Sequence, residues 1–150
     1  MIKVMLDDGA IMPTKAHEDD AGFDLYTPQG FTIAGNAHYV SYSECRLQLS
    51  NMTIDTGVHV AIPKGYVGMV KSKSGLNVKH GLTAEGVIDA GYTGSIVVKL
   101  YNHHERPHEF KAGEKIAQLV IMPISTEKLE LVYHLEDTER GDNGFGSSGR

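Results

Sequence analysis

Between Met52 and Ile62 the even-numbered positions read Met52, Ile54, Thr56, Val58, Val60 and Ile62, while Thr53, Asp55 and His59 fall between them. A period of two sends successive side chains to opposite faces of a pleated strand, so this stretch predicts one half-buried strand. Pro63-Lys64-Gly65 follows as a turn, and Tyr66 to Val70 resumes the strand pattern. Ser95 to Asn102 is another strand, with Ile96, Val98 and Leu100 on one face. Lys115 to Met122 is apolar on both faces except at Gln118, the pattern of a central strand carrying one polar group. Leu129, Leu131, Tyr133 and Leu135 alternate once more and predict a further strand. Short polar connectors such as Asp7-Asp8-Gly9 and Lys111-Ala112-Gly113 lie between these segments, and helical periodicity is nearly absent. Many short strands at regular spacing predict an all-β barrel or sandwich, with no internal repeat and no linker.

The last eleven residues break the pattern. Arg140 to Arg150 holds one apolar side chain, Phe145, and four glycines, which cannot build a core. On composition alone this is a frayed terminus. The other 139 residues read as one domain, because folded units commonly run to about 100–200 residues. A hydrophobic fraction of 41% is too high for a disordered chain. The net charge of −5 argues against a surface that coats nucleic acid, yet leaves room for one small anion where cations are concentrated. The single cysteine, Cys45, can form neither an intrachain disulfide nor a thiolate metal cage. The N-terminal segment lacks the apolar run of a signal peptide and no stretch is long enough to span a bilayer, so a cytoplasmic protein is expected.

Several segments set glycine beside charge. Asp19-Asp20-Ala21-Gly22-Phe23-Asp24-Leu25 holds three acids, which reads as a solvated loop or as a divalent-cation site, since Mg²⁺ prefers carboxylate oxygen. Lys71-Ser72-Lys73-Ser74-Gly75-Leu76 reads as a basic turn or as an anion nest, the latter gaining if a helix starts there. In Gly86-Val87-Ile88-Asp89-Ala90-Gly91-Tyr92-Thr93-Gly94 an aspartate follows an apolar strand directly, as a turn cap or as a carboxylate with a task. Gln118 is either a satisfied core amide or a functional one. His103, His104 and His108 lie in a loop with Arg106 and Pro107, where exposed histidines are commoner than metal ligands.

The order of these segments carries more than any one of them. Asp-Ala-Gly-Phe-Asp-Leu at 20–25, Ser-Gly-Leu at 74–76, Gly-Val-Ile-Asp-x-x-Tyr-x-Gly at 86–94, Gly-Glu-Lys-Ile-Ala-Gln at 113–118 and Arg-Gly-x-x-Gly-Phe-Gly-Ser-Ser-Gly at 140–149 resemble the five successive motifs of the trimeric dUTPase family. The resemblance spans nearly the whole chain. It implies a jelly-roll-like β-barrel with at most one short helix, assembled as a homotrimer. It also implies Mg²⁺-dependent hydrolysis of dUTP to dUMP and pyrophosphate, which keeps uracil out of DNA and supplies dUMP. Residues 1–139 would be the barrel core, and 140–150 a lid over a neighbouring subunit's site. Each site would take the first, second and fourth motifs from one chain, the third from another and the tail from the last.

Residue by residue, the resemblance gives Asp24 to Mg²⁺, mainly through water, and Lys73, Ser74 and Gly75 to the phosphate chain. Asp89 matches the acid that positions and activates the attacking water and contacts the sugar 3′-hydroxyl. Tyr92 matches the ring under the deoxyribose, where a ribose 2′-hydroxyl would clash. Gln118 matches the catalytic glutamine near phosphates and water. Gly86 and Ile88 belong with the substrate-binding residues, and main-chain groups of a hairpin from His80 to Asp89 would read uracil. Arg140 matches the γ-phosphate ligand, Phe145 the ring that stacks on uracil, and Gly146, Ser147 and Ser148 the donors to phosphate. The chain departs from the family pattern at Lys73, commonly arginine, Ser72, commonly proline, Gly91, commonly a second acid, and Ser148, commonly threonine.

Two other readings compete with this one. A dCTP deaminase shares the fold but carries a catalytic glutamate on the strand after the third motif, where this chain has Lys99. A regulatory protein partner is compatible with the sequence alongside catalysis; nucleic acid and membrane partners are not expected.

Overall fold

The structure, a computed structural model, describes residues 1–36, 38–41, 44–47 and 49–142, with 38–41 and 44–47 as backbone only. Phe145, Gly146, Ser147 and Ser148 therefore lie outside the described residues, as does the side chain of Cys45. The described chain is mostly β, as expected, with one short helix. Its elements are β1 (Val4–Leu6), β2 (Gly22–Tyr26), β3 (Phe31–Ile33), β4 (His38–Ser41), β5 (Glu44–Leu47), β6 (Ser50–Asp55), β7 (Val58–Val60) and β8 (Tyr66–Lys71), then α1 (Ser74–His80), β9 (Leu82–Ile88), β10 (Val97–Asn102), β11 (His108–Phe110) and β12 (Lys115–Pro123). Six strands join in the order β2-β12-β8-β9-β10-β6, while β1 pairs with β7, β3 with β11 and β4 with β5, all antiparallel. The curled, jelly-roll-like sheet encloses a core that includes Leu25, Ile33, Val70, Leu100, Ile116 and Leu119, each at most 1% exposed. No helix among the described residues is long and apolar enough to cross a membrane.

The period-two segment from Met52 to Ile62 forms two strands rather than one. Gly57 sits between them at φ 64°, a left-handed conformation that favours glycine. Thr56 fills the break: its hydroxyl donates to the Ile96 carbonyl at 2.7 Å and accepts from the Val58 amide at 3.3 Å. The alternation survives the interruption, because Ile54, Thr56, Val58, Val60 and Ile62 are all buried. β12 is the expected central strand, flanked by β2 and β8.

Two expectations are corrected. Residues 129–135 carry no strand, and Leu129, Leu131 and Tyr133 are essentially fully exposed. Alternation supplies a face, but a strand also needs a ladder partner, and no described strand of the same chain pairs with this one. The segment from His80 to Asp89 is not a hairpin. It is the end of α1 followed by the single strand β9, whose first half pairs with β10 and second half with β8. With Leu82, Ala84 and Ile88 buried in the core, β9 has no freedom to fold on itself.

Candidate active site

In an antiparallel ladder, residues directly opposite one another point to the same side. Asp24 on β2 is opposite Gln118 on β12, Gln118 is opposite Lys71 on β8, and Lys71 is opposite Glu85 on β9. A single row of polar side chains thus crosses four strands, with Lys71 Nζ 2.5 Å from Glu85 Oε1 at its outer end. At the inner end β12 has a bulge: Lys115 faces Tyr26 and Ala117 faces Leu25, so one extra residue is inserted between them. Three residues apart, Lys115 and Gln118 would lie on opposite faces of a regular strand; the inserted residue puts them on the same one.

Asp24 gains two cations from this arrangement. Lys115 Nζ lies 2.7 Å from Asp24 Oδ2 and 6.0 Å from the centroid of the Tyr26 ring. Lys73, from the segment that leaves β8, donates to Asp24 Oδ1. The Asp24 side chain is only 7% exposed, and its amide donates to the Thr14 carbonyl at 2.7 Å. Burial is the largest single influence on its carboxyl and pushes it upward. The hydrogen bonds and charges of Lys115 and Lys73 together outweigh burial and hold it below the ordinary carboxylate range. In return, the hydrogen bond and charge of Asp24 hold the Lys115 ammonium above its ordinary value. Two lysines on one carboxylate leave net positive charge at this point of an acidic protein, which suits a polyanion.

Gln118 Nε2 donates to the Ser72 carbonyl at 3.0 Å. A carbonyl only accepts, so the carboxamide orientation is fixed and Oε1 remains an acceptor. Gly22 makes room for it: a Cβ at that position would stand 2.5 Å from Gln118 Oε1. Ser72, where proline is common, exchanges two hydrogen bonds with Ala84, at 2.9 and 3.1 Å, and so ties the end of β8 to β9. Ser74 opens α1, with Lys73 as its extended N-cap residue at φ −76° and ψ 131°. Gly75 has open space around it. Asp24, Lys73, Ser74, Gly75 and Gln118 are thereby gathered where β2, β8 and β12 meet α1.

The third-motif segment lies elsewhere. Asp89 follows β9 and is exposed. Its carbonyl accepts from the Tyr92 amide at 3.1 Å, closing a turn in which Gly91 sits at φ 92°, a conformation that favours glycine over the acid common there. Tyr92 is half-exposed and donates to the Ser95 carbonyl at 3.0 Å. Gly86 is opposite Val70, and Ile88 is opposite Gly68 with its side chain in the core, so only its main chain is available to a ligand. Asp89 is four residues beyond Glu85, roughly 13 Å along the strand, and Glu85 is three strands, roughly 14 Å, from Asp24. Arg140 lies in the exposed segment after β12.

A model of the dUTPase family matches residues 8–149. The chain belongs to the dUTPase family. The deoxyuridine 5′-triphosphate nucleotidohydrolase of Clostridium novyi (strain NT) is 38% identical over 143 residues, spanning 93% of this chain and 92% of that protein. A mutant of the Staphylococcus bacteriophage 80alpha dUTPase, solved with dUpNHpp, superposes with a TM-score of 0.84 at 30% identity, covering 100% of this chain and 99% of the other. A mutant dUTPase from phage phi11 of S. aureus, described as revealing the coordination of a structural Mg(II) ion, gives a TM-score of 0.76 at 28% identity, over 91% and 99% of the two chains.

Within one chain the dUTPase motifs are divided: the first, second and fourth converge, and the third is apart. Lys99 is exposed on β10 with Nζ 5.4 Å from the Tyr101 ring centroid. The three histidines are engaged separately: His103 Nε2 is 2.7 Å from Thr83 Oγ1, His104 Nδ1 accepts from the Arg106 amide, and His108, which opens β11 rather than lying in the loop, packs between His80 and Phe110. Asp20 accepts from the His17 amide at 2.9 Å, closing its own turn, and its charge adds a smaller upward influence on Lys115. Sequence reasoning missed Lys115, because a regular strand would have turned it away from Gln118. Phe23 and Leu119, one step from Asp24 and Gln118, point the other way and help line an apolar hollow of about 420 Å³ whose lining has no charged side chain.

Proposed function

We propose that this dUTPase hydrolyses dUTP to dUMP and pyrophosphate in the cytoplasm, with Mg²⁺, at sites shared among the three copies of a homotrimer. Dedication to dUTP fits its curated relatives' names. The observation that carries the site is the convergence of Asp24, Lys73 and Gln118 from three separated segments, with Asp89 out of reach in the same chain. A carboxylate that far from the phosphate-binding group acts on the same substrate only when another copy supplies it. The third motif then comes from a second chain, and the tail from residue 140 onward from the third.

Among the described residues no group of three or more acids, histidines or cysteines could cage a metal. Asp24, with both oxygens already paired to lysines, fits a hydrated Mg²⁺ carried in on the substrate phosphates rather than a bare ion bound by the protein. When bound, that ion supplies neutralising charge to the phosphate oxygens.

The chain's own residues do the rest. Lys73 and the groups at Ser74 and Gly75 hold the phosphate chain so that the α-phosphorus is presented in line with the attacking water. The Asp89 carboxylate of a second copy orients that water and takes its proton, and it accepts from the sugar 3′-hydroxyl. Gln118, fixed through Nε2, offers Oε1 to the water or to a phosphate-bound proton donor. Main-chain groups at Gly86 and Ile88 face the nucleotide, and Tyr92 packs beneath the deoxyribose. Arg140 binds the γ-phosphate, Phe145 stacks on uracil, and Gly146, Ser147 and Ser148 donate to phosphate oxygens, excluding water as residues 140–150 close over the site. The Asp89→Asn variant keeps the shape and loses the base, so turnover falls about 10²–10⁴-fold. Binding of a non-hydrolysable dUTP analogue, followed by calorimetry, stays measurable. Near-normal pyrophosphate release from Asp89→Asn would remove Asp89 from this role.

A further inference from the structure

His59 on β7 belongs to none of the five motifs, yet it touches the third-motif turn. Its side chain is 17% exposed. Nδ1 lies 2.8 Å from the Thr93 carbonyl, and Nε2 lies 3.2 Å from Asp7 Oδ2, whose own side chain is 57% exposed. Both neighbours are acceptors only, so the doubly protonated ring, with an N–H on each nitrogen, is the form that suits both. Nε2 is closed off from solvent and has no aligned hydrogen bond among the described residues, so in the protonated ring its contact with Asp7 is an ion pair. The other charged groups facing the ring are Asp55 on β6 and Lys3, which precedes β1 and lines a second, shallower hollow together with His59 and Thr93.

What the ring holds gives the contact its meaning. Thr93 follows Tyr92, the residue read above as the deoxyribose platform. The turn is fixed at its start by the Tyr92 amide on the Asp89 carbonyl. It is fixed at its end by Ser95 Oγ on Asp55 and by the Ile96 amide on the Val58 carbonyl at 2.8 Å. Between these anchors the His59 ring ties the Thr93 carbonyl to the barrel.

We propose that His59 is a positioning residue for the sugar subsite: its imidazolium holds Thr93, and through it the Tyr92 ring, so that rejection of a ribose 2′-hydroxyl weakens as the ring loses its proton. The proposal rests on the reading of Tyr92 given above. The Thr93 carbonyl first, and Asp7 after it, hold the ring's pKa above the ordinary histidine value, so the charged form extends toward neutral pH. Above that pKa one N–H remains; on Nδ1 it still reaches the Thr93 carbonyl at 2.8 Å, but without the charge that strengthens the contact.

The test compares wild type with His59→Gln, which keeps one amide donor without charge, and His59→Leu, which keeps none; thermal melts establish that each is folded. In wild type the preference for dUTP over UTP falls about fivefold, mainly through KM, as pH rises through the His59 titration followed by NMR. His59→Gln removes that pH dependence, and His59→Leu has the lowered preference throughout. Amide exchange of residues 90–95 without nucleotide, corrected for the intrinsic effect of pH, accelerates over the same interval in wild type and is flat in both variants. A wild-type turn insensitive to pH, or a His59→Leu variant with wild-type preference, overturns the proposal. Exchange that follows the titration without any change in preference overturns the sugar-subsite role. In that event an unchanged preference in Tyr92→Ala traces the failure to the reading of Tyr92 rather than to the His59 contact.

Discussion

Replacing Lys73 and Lys115 by methionine, singly and together, measures what holds the carboxylate at the centre of the site. Methionine keeps the apolar stem of lysine and removes the charge. The Asp24 side chain is 7% exposed, while Lys73 is 27% and Lys115 41% exposed. After either single change the other lysine still faces Asp24. Loss of Lys73 therefore costs about 1 kcal/mol, the upper end for a partly exposed pair. Loss of Lys115 alone, more exposed and better screened, moves stability less. Removing both leaves a buried carboxylate without a counter-charge, which costs about 3 kcal/mol. The double variant thus exceeds the sum of the singles, with a coupling of about 1–2 kcal/mol. With a urea slope of about 2 kcal/mol per molar, its midpoint falls by about 1.5 M. Protein concentration is held fixed, because assembly makes apparent stability concentration-dependent.

The pH dependence of this cycle has a definite sign. The folded pKa of Asp24 lies below its unfolded value, so its contribution is complete above the ordinary carboxylate range and is lost as pH falls through the folded value. The coupling should be full near neutrality and fade in acid. Small, additive effects at neutral pH would refute the two-lysine account of Asp24.

Gly22→Ala places a methyl 2.5 Å from Gln118 Oε1 and 3.1 Å from Gln118 Cβ, so Gln118 must change rotamer and lose Ser72. We expect about 1 kcal/mol of destabilisation in thermal melts and about a tenfold fall in kcat/KM; unchanged kinetics would show that Gln118 does not need this seat. Deleting residues 140–150 removes no described strand and should leave the melting transition in place while hydrolysis slows severely. Full activity of the truncated chain would mean that the tail is not a working lid.

The elements most legible from the sequence were those whose burial is decided within the chain. β12 was recognisable because burial on both faces requires apolar residues at consecutive positions, against which Gln118 stands out. The even positions around Val58 reported their buried face correctly, but alternation cannot reveal Gly57's turn, since the face is kept on both sides of it. The bulge that brings Lys115 to Asp24 was hidden because Ile116 and Ala117 are both fully buried and read as ordinary strand. Leu129 to Leu135 show the converse failure, an alternation with no strand partner among the described residues of its own chain. Motif order was enough for the family, and it grouped Asp24, Lys73 and Gln118, which the fold brings side by side. It could not show that the sheet register holds Asp89 away from them, since distance across a sheet depends on pairing rather than on sequence spacing.

The most direct measurement offers the purified full chain dUTP, dCTP, dTTP and UTP separately with Mg²⁺ and resolves the products by ion-exchange chromatography. The account predicts dUMP and pyrophosphate in equal amounts from dUTP, turnover of UTP slower by about 10²-fold, and arrest when the metal is chelated. Intact dUTP, ammonia released from dCTP, or hydrolysis of UTP as fast as that of dUTP would contradict it.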